Sequence, residues 1–73
     1  MSKLPRLSGR DCITALTKVG FHKKRQQGSH AILRRDDPFA QLVVPVHKEL
    51  DRGTLRAIIR QAGLSVDEFN ALI

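Results

Sequence analysis

A histidine in the most basic part of the chain is the residue best placed to do chemistry. His30 follows a glycine and a serine, and no carboxylate occurs between Asp11 and Asp36. Six cations share that interval: Lys18, Lys23, Lys24, Arg25, Arg34 and Arg35. Because cations bind the phosphates of a nucleic acid and an imidazole transfers protons near neutral pH, this combination points to a small ribonuclease.

The chemistry of such an enzyme requires few residues. RNA can cleave itself when a 2′-hydroxyl attacks the adjacent phosphorus, so an enzyme need only move protons and stabilise the charge that develops. His30 is the candidate general base or general acid for this step. On position alone, the commoner explanation is an exposed strand histidine without any chemical role.

The neighbours of His30 are candidate RNA contacts. Gly28 allows the backbone to approach a phosphate closely and to adopt a positive φ at a turn, and the hydroxyl of Ser29 can donate to a phosphate oxygen. Lys23, Lys24 and Arg25 are the candidate contacts to the RNA backbone. The alternative for these three cations is a solvated edge strand that lysine protects from aggregation.

Three other residues carry side chains that can take part in chemistry. His47 follows a strand-ending segment, and it is a candidate second proton-transfer group, a structural or substrate-positioning residue, or a contact for a partner protein; the structural or positioning role is favoured. His22 is expected on an exposed strand, and Cys12 is expected to be a buried thiol in a reducing compartment. These residues lack the spacing of metal ligands, so no metal site and no cofactor are expected.

Length and charge restrict the possible functions. The 73 residues are expected to form one domain spanning 1–73, in which 1–7 are a lead-in segment. The net charge of +6 and the pI of about 10.5 favour an anionic partner. No apolar run approaches the roughly 18 residues of a membrane span, and the N-terminus does not resemble a signal peptide. A cytoplasmic protein is expected.

The periodicity of apolar residues predicts an α+β fold with a three-stranded antiparallel sheet. A helix is expected over 8–19, with Ser8 as its N-cap. Strands are expected over 21–27, 29–35 and 40–44, and the third is apolar enough to be central. A second helix begins after Asp51 or Thr54 and ends at Gly63. A short third helix follows the capping box that starts at Ser65.

This order of elements resembles the double-stranded-RNA-binding-domain fold, and particular motifs make the resemblance narrower. They are Gly20-Phe21, Gly28-Ser29-His30, Val44-Pro45-Val46-His47, the segment from Gly53 to Leu64, and Glu68-Phe69. In this order and spacing they resemble the HicA family of mRNA interferase toxins, over nearly the whole chain from Leu7 to Phe69.

The resemblance implies a toxin of a toxin–antitoxin pair that cleaves mRNA as a metal-independent endoribonuclease. It implies that His30 is the catalytic histidine, because the catalytic histidine of the family lies in its Gly-Ser-His motif. It also implies a HicB-type antitoxin that binds the toxin and masks His30 in a hetero-oligomer. One departure stands at Asp51-Arg52, where family members often carry lysine, and it is expected to weaken an RNA contact near that loop.

Two other functions compete with the nuclease. A helix-turn-helix DNA binder is disfavoured, because its reading helix would carry Asp67 and Glu68 and no cation. A non-catalytic RNA-binding module of the double-stranded-RNA-binding type remains the main alternative. His30 discriminates the two, because a pure binding module loses little when this residue becomes alanine.

Overall fold

A computed structural model describes residues 3–73 of the chain, and it confirms the predicted α+β architecture. The order is helix, three strands, helix, short helix, as the periodicity indicated. The elements are α1 (Gly9–Thr17), β1 (His22–Gln27), β2 (His30–Asp36), β3 (Phe39–Pro45), α2 (Arg52–Gln61) and α3 (Val66–Asn70).

The three strands form an antiparallel meander in the order β1-β2-β3, so the central strand is β2. The prediction that the third strand is central was therefore wrong. Connections of two residues place successive strands side by side, which leaves β3 at an edge. Its apolar residues have another cause, because Leu42 and Val44 are buried in the core beneath the helices.

The helix boundaries follow from local capping chemistry. The Ser8 hydroxyl accepts a hydrogen bond from the Asp11 amide at 3.0 Å, and Ser65 and Glu68 form a reciprocal capping box at α3. Gly20 and Gly63 follow α1 and α2 with φ values of +95° and +77°. Both glycines thus occupy the left-handed conformation that ends a helix.

The hydrophobic core lies between one face of the sheet and the helices. Two of its members come from the lead-in segment, since Leu4 and Leu7 are buried. The Leu50 amide donates to the Leu7 carbonyl at 2.8 Å, and the Asn70 side-chain amide donates to the Lys3 carbonyl at 3.1 Å. The described part of the lead-in is therefore packed against the domain, whereas residues 1 and 2 lie outside the described residues.

Side chains alternate across β2, and this alternation defines two surfaces of the sheet. Ala31 and Leu33 are completely buried on the side of the helices, which we call the covered face. Because successive strand residues point to opposite sides, His30, Ile32 and Arg34 lie on the other side, which we call the open face. No helix packs on the open face within residues 3–73.

Candidate active site

The turn before His30 is a two-residue hairpin connection. Gln27 pairs with His30, so Gly28 and Ser29 are the two central residues, one position later than the Gln27-Gly28 turn expected from the sequence. Gly28 has a φ of +57° and Ser29 does not have a positive φ. This is the pattern of a type II′ turn, which favours glycine at its first central position. Within residues 3–73, nothing lies within 4 Å of a Cβ built on Gly28, so φ, and not crowding, explains the glycine.

His30 is the first residue of β2, where the turn returns the chain to the sheet. It is exposed, and its neighbours across the sheet are Gln27 on β1 and Pro45 on β3. The imidazole makes no hydrogen bond to any residue of the described segment 3–73. Both ring nitrogens are therefore available to a molecule that binds at this end of the open face.

A β-bulge divides the basic residues of β1 between the two sides of the sheet. Lys23 pairs with Leu33 and Arg25 pairs with Ile32, so Lys24 is the extra residue between them. Paired residues share a face, which puts Lys23 on the side of the helices and Arg25 on the open face with His30. The sequence predicted Lys23, Lys24 and Arg25 as one group of contacts, but the structure separates them.

The two arginines of β2 make different contacts. Arg34 lies on the open face, where its Nε is 2.8 Å from Asp36 Oδ1 and its guanidinium lies 5.3 Å from the centre of the Phe39 ring. Arg35 lies on the opposite side, with its guanidinium 4.7 Å from the centre of the Phe21 ring. Its Nε also donates to the Pro38 carbonyl at 2.9 Å. Arg35 therefore connects the end of β2 to Phe21 and to the turn that contains Pro38.

Apolar side chains remain exposed on the open face. Phe39 is 64% exposed and Val43 is 45% exposed, and both belong to the edge strand β3. Ile32 is half-buried and pairs with Val43, and the Gln41–Arg34 pair separates these two from Phe39. We call Phe39, Val43 and Ile32 the apolar strip. This strip shares its face with His30.

The loop that carries His47 is fixed to the start of α1. The Gly9 amide donates to the His47 carbonyl at 2.9 Å, and the Val46 amide donates to the Ser29 carbonyl at 2.6 Å. A Cβ on Gly9 would overlap the carbonyl oxygen of Pro45, so the close approach of helix and strand requires glycine there. The His47 side chain lines a shallow depression beside the helix.

The remaining chemistry-bearing groups do not form a second centre. Burial raises the pKa of the Cys12 thiol to about 12, so this residue stays protonated and is not a nucleophile. Among residues 3–73, no three side chains of the metal-binding types are grouped to hold an ion. In the same part of the chain, no helix has the length and apolar character needed to cross a membrane.

Comparison with known families agrees with this geometry. A family described as the HicA toxin of bacterial toxin–antitoxin systems matches residues 9–64. The chain belongs to the HicA toxin family. No curated protein matches the sequence.

The HicA match includes α1, the whole sheet and α2, and with them His30 and His47. It ends at Leu64, one residue before the capping box of α3, so the match does not extend to the last helix. Membership of this toxin family implies that the chain has an antitoxin as its partner.

Two cations near this HicA site were missed by the sequence reasoning. Arg10 and Lys48 line the depressions beside α1, and Arg10 lies in the same depression as Lys23. They are distant from the Gly28-Ser29-His30 segment in sequence, so no local pattern indicated them. No sequence signal marks them, since Asp11 follows Arg10 and Glu49 follows Lys48.

Proposed function

We propose that this HicA toxin is a metal-independent endoribonuclease that cleaves mRNA in the cytoplasm, with His30 as its general acid or base. The observation that carries the proposal is the exposed imidazole of His30, which is free of hydrogen bonds within residues 3–73 and stands directly after the tight Gly28–Ser29 turn. An imidazole with both ring nitrogens unoccupied can exchange a proton with a phosphodiester that binds there.

The reaction uses the nucleophile of the substrate. The 2′-oxygen attacks the adjacent phosphorus, a P–O2′ bond forms, and the bond from phosphorus to the 5′-oxygen breaks. His30 takes the proton of the 2′-hydroxyl as general base, or gives a proton to the leaving 5′-oxygen as general acid. This chemistry needs no metal, because RNA brings the nucleophile and the protein supplies proton transfer and positive charge.

The residues around His30 support the same step. Arg25 shares the open face with His30, and it can stabilise the charge that develops on the phosphorane oxygens. The Gly28–Ser29 turn exposes its backbone to the substrate, and the Ser29 hydroxyl is a donor for a phosphate oxygen. Lys24 stands at the bulge as a further backbone contact. His47 serves to position the substrate.

A HicB-type antitoxin is proposed to bind the open face and so mask His30 in a hetero-oligomer. The support is the apolar strip of Phe39, Val43 and Ile32 on that face, next to the imidazole. Exposed apolar patches of this kind mark interaction sites. The net charge of +6 would also accelerate association with an acidic partner.

The activity is tested by cleavage of a long single-stranded RNA in excess EDTA, with the wild type and His30→Ala side by side. The expected result is cleavage by the wild type, and a rate lower by a factor of about 10² to 10⁴ for the variant, with RNA binding retained. Binding without cleavage by both proteins would instead support a non-catalytic RNA-binding module. Equal cleavage by both would remove His30 from the mechanism.

The masking surface is tested by Val43→Glu, which puts a charge into the apolar strip. Gln61→Glu on α2 is the matched control, because it makes the same charge change at an exposed position of another element. We expect affinity for the cognate antitoxin to fall about tenfold or more for Val43→Glu alone. Equal affinities of the two variants would show that the antitoxin binds elsewhere.

A further inference from the structure

A basic groove runs along the start of α1, between this helix and β1 and then beside the loop that follows β3, on the opposite side of the sheet from the apolar strip. It consists of two adjoining shallow depressions of about 280 and 220 Å³, and Arg10 and Val46 line both of them. We propose that this groove binds the sugar–phosphate backbone of the single-stranded RNA that leads to His30. The proposal rests on the proposed ribonuclease function and adds a substrate-binding site to it.

The charges of the groove all have one sign. Its cations are Arg10, Lys23 and Lys48, and within residues 3–73 no carboxylate lines either depression. Gln26 and His47 add further polar groups to the lining. Such a groove binds phosphates through charge and gives them hydrogen-bond donors.

Contacts within the hairpin hold Lys23 in position. Its ammonium donates to Oε1 of Gln26 at 3.2 Å, and Nε2 of Gln26 donates to the Gly28 carbonyl at 3.0 Å. Lys23 is thereby connected to the same turn that presents His30. A phosphate bound at Lys23 would therefore lie near the turn that presents His30, on the other face of the sheet.

The groove also reaches the catalytic end of the sheet through Val46. The Val46 amide bonds to the Ser29 carbonyl at 2.6 Å, and Ser29 directly precedes His30. Consecutive Cα atoms are about 3.8 Å apart, so the backbone of His30 lies close to this end of the groove. An RNA strand that leaves the groove at Val46 would pass around the turn to reach the imidazole on the open face. The groove and the open face thus meet at this turn.

Other surfaces fit a polyanion less well. The depression between α1 and the C-terminus combines apolar side chains with both Asp11 and Lys18. On the open face, Arg34 is already paired with Asp36. Among residues 3–73, no Phe, Tyr or Trp lines the groove, so we expect it to bind RNA with little sequence preference.

The test compares two triple variants in the full-length chain, both in the His30→Ala background so that the RNA stays intact. The groove variant carries Arg10→Gln, Lys23→Gln and Lys48→Gln. The control carries Lys18→Gln, Arg56→Gln and Arg60→Gln, three exposed cations that line neither depression. Both variants lower the net charge by three. Thermal unfolding establishes that each is folded.

The measured quantity is the dependence of RNA affinity on salt, for a fluorescent single strand of roughly 12 nucleotides. If three phosphate contacts are lost, the slope of log K against log salt should become shallower by about 2 for the groove variant. The control should keep the slope of the parent. An equal slope for both triple variants would overturn the proposal.

Kinetics separate this proposal from the proposed function. With His30 restored, the groove variant should raise KM and leave kcat nearly unchanged, because it removes binding that the ground state and the transition state share. Normal KM in a groove variant that still cleaves would refute the groove and leave the nuclease intact. A groove variant that binds RNA normally and loses the antitoxin would show a protein interface in its place. A wild type without any cleavage would refute the nuclease itself.

Discussion

The two faces of β2 differ in what they contribute, although their residues alternate along seven positions of one strand. On the covered face Ala31 and Leu33 are fully buried, and they contribute to the free energy of folding. On the open face His30 is exposed and Ile32 is half-buried, and these residues contribute little to the core. One strand can therefore serve stability and chemistry at once, because its side chains alternate with a period of two.

The adjacent arginines repeat this difference at the end of the strand. Arg35 lies over the Phe21 ring and donates to the Pro38 carbonyl. Arg34 instead lies over Phe39, an exposed ring. Two neighbouring cations of the same basic stretch thus have different roles, and the face of the sheet decides which.

The largest loss of stability is expected from a substitution on the covered face. Leu33→Ala should lower the free energy of unfolding by about 3 kcal/mol, because it removes buried methyl groups and leaves a cavity. Ile32→Ala, its neighbour on the open face, should cost about 1 kcal/mol, since that side chain is only partly buried. Urea unfolding of both variants measures the two free energies.

Equal costs for the two variants would contradict the assignment of faces. A larger loss for Ile32→Ala would mean that the strand packs in the other register, because a slip of one residue exchanges its two faces. The m-value must stay constant for this comparison to hold.

A smaller effect is expected at the two arginines. Arg35→Met should lower the free energy of unfolding by about 1–2 kcal/mol, because it removes a cation–π contact and a hydrogen bond that ties β2 to the next turn. Arg34→Met should cost about 0.5 kcal/mol or less, since surface ion pairs contribute little. Thermal unfolding of the two matched variants measures the difference. Equal melting temperatures would contradict the structural role assigned to Arg35.

The features that could be predicted from the sequence are those that depend on residues close together along the chain. Ser8 and Ser65 cap their helices as expected, because a cap depends on an amide only three residues away. The turn at Gly28 was predicted within one residue for the same reason. His30 was identified from its motif and from the cations around it, and its role as catalyst remains a proposal.

The parts that escaped prediction depend on tertiary packing. The apolar content of β3 suggested a central strand, but that content reflects burial under the helices. The bulge at Lys24 depends on how β1 pairs with β2, so the three consecutive basic residues gave no indication of it. Arg10 shares a depression with Lys23, and Lys48 lines the adjoining one, only because α1 and the loop between β3 and α2 pack beside the hairpin.

The most direct test of the central claim measures stability and cleavage on one variant, His30→Ala. The account predicts that the free energy of unfolding changes by about 0.5 kcal/mol or less, while the cleavage rate in EDTA falls by a factor of about 10² to 10⁴. Such a result would assign chemistry to the open face and stability to the covered face. A variant that cleaves like the wild type, or that loses activity only because it unfolds, would contradict the account.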